Sequence, residues 1–560
     1  MVACGRRDQD KRVRIEKDYA MTSPPSSSLA VRRSAAMGSA WAPFRYRIFA
    51  LVWVATVISN VGGWMYSAAA GWLMTNLTSD PLMVSLVQVA NSLPVLIFAF
   101  PAGALADVVD KRKFLIGAET SIALLSTLFA FLVWRGLVGP QTLLLFVFVI
   151  GAVGALTAAP WQAVVPELVP KEHLAPAVAL NSLGVNVSRA VGSALGGVLI
   201  AAVGISAPFW ANGVSNAGVI GALLWWRPVP RSVDHLPAER LGSAMRTGFR
   251  HVRHNPRMRA TMIRATAFFT FASAYWALLP LVTRQRIAGG AELYGVLLGM
   301  IGLGAILGAL SLRQVRAKLG NDRTVALASI GTALAIMLFG LARNPATALV
   351  ASFIAGATWV SALATLNLSA QMALPDWVRG RGLAIYIMVF FGAMSVGSAL
   401  WGQLAGWVGL INAHWIAAAT MLLAIGLSWR WKLQHAVGVD LSPSMHWPLP
   451  QALQLQDPSD GPVMVTVEYH IAEGNRQAFL AAVGHLGHGR RRDGAYAWAI
   501  YEDAERPGRM LETFYLESWA EHLRQHQRVT KADSALQRAI RELAQDEPTV
   551  THFIFAKAGR

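Results

Sequence analysis

In a chain that is 54% hydrophobic and only 14% charged, the charges that fall inside apolar stretches are the first place to look for chemistry. Each charge held in hydrocarbon costs ~3 kcal/mol or more unless a partner or a task offsets it. Glu119 lies about two turns into one such stretch, and Arg189 stands halfway along another. A carboxylic acid taken out of water prefers its proton-bearing form, so Glu119 can take up and release a proton as water comes and goes. Arg189 can stabilise the ionised carboxylate or bind an anion. A second pattern is GALADVVDKRK, from Gly103 to Lys113. Here Gly103 permits close helix approach, and Asp107 can pair with a cation or a helix end beside Lys111 and Arg112. Such contacts suit a gate. SRAVGSALGG, from Ser188, places Gly192, Gly196 and Gly197 where a second helix could pack closely. His522 and His526 are one turn apart, a spacing that can bring two metal ligands together. Glu521 points away from that face and no acidic third ligand is evident, so both read as solvent-facing, with no metal and no cofactor expected.

Twelve apolar stretches of roughly 20 residues or more must carry these groups, the length a helix needs to span a bilayer. Their spacing predicts helices near 48–74, 81–106, 112–135, 141–166, 175–203, 206–226, 261–283, 292–312, 323–342, 345–371, 381–407 and 412–430. The two halves repeat. WQAVVPELV from Trp161 returns as AQMALPDWV from Ala370, offset by 209, and VGSALGG from Val191 returns as VGSALWG from Val396, offset by 205. Two six-helix repeats in the same orientation are the plan of a rocker-type secondary transporter. Polar and aromatic residues then form candidate cavity walls: Asn60, Trp64 and Tyr66 on helix 1, Gln88 and Asn91 on helix 2, Tyr275 and Trp276 on helix 7, and Asn367 on helix 10. Few polar groups among aromatic walls suit a bulky, partly apolar ligand.

The formal charge of +18 is spread through loops between apolar segments, which argues against nucleic acid as the partner. It concentrates in alternate loops, and the long 227–260 connection alone holds eight arginines. The positive-inside rule therefore puts both termini and that connection in the cytoplasm. The sequence divides into a basic, disordered tail (1–44), a first half (45–226), a cytoplasmic loop (227–260), a second half (261–432), a linker (433–461) and a soluble α+β unit (462–560). In the last, VMVTVEYH, AYAWAIYED, RMLETFYLES and the 549–556 segment alternate as strands among three helices, a ferredoxin-like order.

The 103–113 segment resembles the major facilitator superfamily signature G-x-x-x-D-x-x-G-[RK]-[RK], with Gly103, Asp107, Lys111 and Arg112 in register and Asp110 in place of the second glycine. The 188–197 segment is similar to the antiporter motif G-P-x-x-G-G of that superfamily's drug exporters, with Ser193 replacing proline. Across residues 45–430 the chain resembles the branch containing enterobactin exporters, macrolide efflux proteins and transmembrane secretion effectors. That resemblance implies a bacterial inner-membrane antiporter that exports a small siderophore- or drug-like molecule in exchange for protons, surrounded by lipid. The tail, most of all SWAEHLRQH from Ser518, resembles antibiotic-biosynthesis monooxygenase-like dimeric α/β barrels, which implies dimerisation through this unit. Two readings stand: an exporter with an accessory domain, and a transporter–enzyme fusion whose C-terminal domain oxidises or senses the transported molecule.

Overall fold

The computed structural model describes residues 41–226, 241–433, 444 and 461–555. Apolar composition drives six helices in the first half: α1 (Arg47–Leu77), α2 (Pro81–Val108), α3 (Lys111–Trp134), α4 (Pro140–Leu168), α5 (Leu174–Val203) and α6 (Ala207–Trp225). Then come α7 (Leu241–His254), α8 (Pro256–Leu281), α9 (Ala291–Leu341), α10 (Pro345–Met372), α11 (Asp376–Val408) and α12 (Leu410–Ser428). Among the described residues, ten helices are long and apolar enough to cross a membrane. The 51-residue α9 contributes two spans, because Gly320 at φ 74 turns the chain in its middle. Counting also the 19-residue α6, which carries no charge but is diluted by Asn212, Ser215 and Asn216, the spans number twelve.

Local signals set the helix ends, and α8 and α11 each begin five residues before the expected 261 and 381. Asp110 caps α3 by accepting from the Lys113 amide, and Asn255 caps α8 through the amides of Arg257 and Met258. Gly409, at φ 85, turns the chain between α11 and α12. One expectation fails. Within the stretch read as a loop, residues 241–254 form a helix, with Leu241, Met245, Phe249 and Val252 at helical spacing and arginines between them.

The halves meet as a two-fold repeat requires: α2 of the first packs on α11 of the second, and α5 packs on the first part of α9. Ser92 and Ser395 share a hydrogen bond of 2.8 Å across the first contact. At the second, a Cβ on Gly197 would stand 2.6 Å from the Ala291 carbonyl and from Gly295 Cα, so only glycine allows the approach. One end of the bundle carries Lys111–Lys113, α7 and the C-terminal unit, and is called here the basic end. At the other end the halves are latched: the Arg284 guanidinium donates to Asn76 and Thr75, and Trp72 stacks on Tyr294 at 5.7 Å.

The C-terminal unit runs β1 (Val463–His470), α13 (Arg476–Arg492), β2 (Ala497–Glu502), β3 (Arg509–Leu516), α14 (Trp519–Arg528), α15 (Lys531–Leu543) and β4 (Thr549–Ile554). Its sheet order β2-β3-β1-β4, antiparallel throughout, is the ferredoxin-like arrangement. Alternation in β1 sends Val463, Val465, Val467 and Tyr469 under the helices. Glu512, fully buried beneath them, accepts from Tyr469 Oη (3.0 Å), Arg490 Nε (3.0 Å) and Trp498 Nε1 (2.9 Å). A carboxylate so enclosed is held by donors on three elements, which ties the sheet to α13.

Helix α7 joins the unit to the bundle. Arg250 donates to the Gly494 carbonyl and to Glu517 Oε1 (3.1 Å). Arg528 lies 4.4 Å over the Trp377 ring, whose edge meets His251 at 5.3 Å. Burial, with Arg492 and Arg528 nearby, pushes the fully enclosed His251 down to about 3.

Candidate functional site

The predicted site residues divide into separate groups. A cavity of about 480 Å³ opens inside the first half, walled by α1 to α6. Asn60, Tyr66, Asn91 and Glu119 line it. Glu119 is 7% exposed, and Trp161 Nε1 donates to its Oε1 at 3.1 Å. Trp161 comes from α4 and opens the repeated segment WQAVVPELV, so one side chain links the repeat motif to the buried acid. Tyr66 packs edge-on against Phe209 at 5.1 Å and beside Phe129 at 6.0 Å, within the first half rather than toward the second.

Arg189 belongs to a different place. Its guanidinium lies 4.8 Å over the Trp64 ring and near Tyr275 of the second half, and its Nε is buried without a hydrogen bond. Of the two roles expected for Arg189, tuning Glu119 or binding an anion, the contacts favour the second: the acid bonds to Trp161, and the cation faces α1 and α8. Tyr275 and Trp276 start an aromatic cluster, with rings 5.4 Å apart and Trp359 5.5 Å beyond Trp276. Gln88 is half-buried on α2, and Asn367 is exposed on α10.

At the basic end, Lys111 Nζ pairs with Glu167 Oε1 at 3.0 Å, while Arg112 donates to the Leu223 and Leu224 carbonyls at the end of α6. These bonds satisfy orphan helix-terminal carbonyls and hold α3, α4 and α6 together as one body. The side chain of Asp107, and any contact of Gly103, lie outside the described residues. Gly192 and Gly196 face α1: a Cβ on Gly192 would meet the Val61 carbonyl at 2.5 Å, and one on Gly196 would meet Met65 Cα at 3.1 Å. With Gly197 on α9, the motif seats α5 between the halves.

A buried ion pair escaped the sequence reading. Arg264 of α8 bonds Asp322, just past the Gly320 turn, and Asp322 also accepts from the Leu433 amide at 3.0 Å. Asp322 follows Asp110 by 212 residues, close to the offset of the repeat, and that signal could have found it.

In the C-terminal unit, His522 and His526 do not face solvent. They are 1% and 9% exposed, with Nε2 atoms 3.2 Å apart, because α14 turns that face toward the sheet. His552 joins them, 4.7 Å from His522 between ring centroids. Burial first, then His526, His552 and Arg490, pushes His522 down to about 3. The three line a cavity of about 290 Å³ with Tyr469, Arg490 and Arg541. Glu521 pairs instead with Arg528. Among the described residues no group of three or more His, Cys, Asp or Glu is arranged to hold a metal ion.

A chain of twelve spans in two six-helix repeats, with the halves joined through α2, α5, α9 and α11, has the architecture of a major facilitator transporter. A family profile described as transmembrane secretion effector matches residues 38–559, and the chain belongs to that family. The staphyloferrin A transporter of Staphylococcus aureus is 23% identical over 356 residues, covering 63% of this chain and 88% of its own length. The enterobactin exporter of Salmonella choleraesuis is 25% identical over 370 residues, covering 64% and 85%. Among solved structures, the nucleoside transporter NupG superposes with a TM-score of 0.59 at 9% identity, over 69% of this chain and 99% of that one. A bacterial homologue of the lysosomal transporter Spinster, inward-facing and occupied, gives 0.54 at 13% identity, over 70% and 98%. The chain is a multi-pass membrane transporter for small molecules.

Proposed function

We propose that the protein exports an anionic, siderophore-like molecule by proton-coupled alternating access, with both termini, α7 and the C-terminal unit in the cytoplasm. The observation that carries the reading is Arg189: a cation between the halves, stacked on Trp64, with a buried donor left free. A buried donor without a partner is an unusual cost unless something binds there. The staphyloferrin and enterobactin transporters among the relatives support an iron-chelating cargo. Glu119 serves as the proton site, since its cavity can be wetted or dried as the halves rock. The Arg284–Asn76 latch is the outer gate, and Asp107 works in the inner one, pairing in one state and releasing in the other. Asp107→Asn should then slow transport while equilibrium binding of the molecule stays near normal; lost binding with normal turnover would remove Asp107 from the gate.

The test of the cargo class is equilibrium binding of staphyloferrin A and enterobactin to the purified protein. Binding by the native protein that falls at least about tenfold in Arg189→Gln, as loss of a charge-assisted bond of ~1.5–3 kcal/mol requires, supports the reading. Equal binding by both proteins refutes it.

A second reading has its own observation. The histidine-lined cavity of the C-terminal unit is large enough for part of a small molecule, so this unit senses or oxidises the transported molecule. Incubating the full-length protein with the transported molecule and dioxygen as the oxidant separates the two: an oxidised product that needs dioxygen and is absent in His522→Ala favours the enzyme. The uncovered sheet face, where Tyr501 and Phe553 are exposed, is where a second copy would pack. Tyr501→Glu is expected to give a smaller assembly by light scattering, and an unchanged mass counts against a dimer.

A further inference from the structure

A groove of about 1150 Å³ runs along the flank of the bundle at the basic end, between α7, α8, α11 and the C-terminal unit. The volume exceeds the usual ~300–1000 Å³ of pockets that take compact ligands. Its two ends differ in character. Along α11 it is lined by Ile385, Met388, Val389, Gly392, Ala393 and Val396. These positions recur at intervals of three and four, one stripe of a helix about 16 Å long. Gly392 and Ala393 keep the stripe shallow, and Val396 is 67% exposed, so the groove opens sideways from the bundle. Behind it α11 is committed elsewhere: Ser395 bonds Ser92, and Gly397 lies against the Thr270 carbonyl.

The other end is cationic. Arg246, Arg250, Arg253 and His254 of α7 line it together with Arg491 of the C-terminal unit, and no lining residue is a carboxylate. Arg250 is partly engaged by Glu517, and Arg491 donates to the Trp498 carbonyl at 3.1 Å beside the Trp498 ring, neither contact bringing a carboxylate into the lining. The field is nonetheless positive at His254, which is held below its ordinary range by burial first and then by Arg491, Arg253, His488 and Arg250. Phe249, 60% exposed, stands beside these cations as an aromatic at a lipid boundary does.

We propose that this groove binds one anionic phospholipid, its phosphate among Arg246, Arg253 and Arg491 and an acyl chain along the α11 stripe. A soluble anion would use the cations and leave the apolar stripe bare, whereas a neutral lipid would use the stripe and leave the excess of positive charge over carboxylates in the lining unanswered. Basic pockets beside spanning helices take acidic headgroups for this reason. Because Arg491 belongs to α13 and Arg246 and Arg253 to α7, the lipid headgroup bridges the C-terminal unit to the bundle. The site is independent of cargo and of proton coupling.

The experiment is native mass spectrometry of the full-length protein in detergent, titrated with phosphatidylglycerol or phosphatidylcholine. The expected result is a single phosphatidylglycerol adduct, with phosphatidylcholine much weaker. Arg246→Gln with Arg253→Gln should weaken the phosphatidylglycerol adduct by about fivefold per arginine. Gly392→Leu, which fills the stripe without changing charge, should weaken it too, and serves where the double variant fails to fold. Equal binding of the two lipids overturns the proposal, and so does phosphatidylglycerol binding unmoved by either variant. Displacement by millimolar inorganic phosphate would make this a soluble-anion site, and displacement by staphyloferrin A or enterobactin would make it a cargo portal; either result overturns the lipid assignment.

Discussion

Glu119 and Arg189 were legible in the sequence because a charge in apolar surroundings is rare and costly. Their separation was not. A position along a helix says which turn a side chain occupies, not which neighbouring helix faces it, and the packing of α3 on α4 sent Glu119 to Trp161 instead. The same limit hid the inward turn of His522, since spacing alone cannot tell a buried face from a wet one when the helix is short and polar. The division gives the two residues separable phenotypes. Glu119→Gln is expected to abolish transport driven by a pH gradient while downhill exchange of cargo continues, because a permanently neutral side chain removes the proton but not the pathway. Arg189→Gln is expected to weaken cargo binding and leave proton uptake intact. Cargo exchange and pH-driven uptake measured side by side in vesicles check both, and a shared loss in both variants would return the two residues to one site.

The helices themselves were readable from hydropathy, but their ends were set by caps such as Asn255, which starts α8 five residues before the expected 261. Helix α7 was missed because it is too short and too basic to register as a span, although its apolar residues keep helical spacing. It is the element on which the C-terminal unit rests, and it carries a pH dependence. His251 faces Trp377 of α11, Asn255 at the start of α8, and, from the C-terminal unit, Arg492, Arg528 and Asp533. Freed from the interface, it would titrate near 6.5; docked, it resists protonation down to about 3. As pH falls below 6.5 the undocked form gains a proton that the docked form refuses, so docking weakens by roughly 1.4 kcal/mol per pH unit until about pH 3. Above 6.5 the term is flat. Hydrogen exchange in α7 and α13 should therefore rise on acidification from about pH 7 to about pH 5, and His251→Phe should flatten the rise. An equal rise in both proteins would assign it to another group. At the facing contact of the halves, Gly197→Leu should prevent α5 from closing on α9, since the Ala291 carbonyl and Gly295 Cα already fill the space. The expected readout is a reactive cysteine at position 194, seated beside Gly295, that is shielded in the native protein and labelled in the variant.

At the scale of the whole molecule, the internal repeat carried most of the information. Offsets of 209 and 205 between matching segments required two similar halves, and the α2–α11 and α5–α9 contacts are the packing that such a repeat produces. What lies between the halves and the C-terminal unit was not legible, because it depends on a few side chains such as Arg250 and Arg528 that meet residues more than a hundred positions away. The arginine-rich basic end should lie in the cytoplasm. A cysteine introduced at Ala238, which lies outside the described residues, should resist impermeant thiol reagents in intact cells, and labelling from outside would invert the topology. Export by proton exchange is the central claim, and everted membrane vesicles test it most directly. An inward-acidic gradient imposed on vesicles containing the native protein should drive accumulation of staphyloferrin A or enterobactin above its outside concentration, with no accumulation in Glu119→Gln vesicles. Accumulation that persists when the gradient is collapsed, or that is equal in the Glu119→Gln vesicles, would contradict the account.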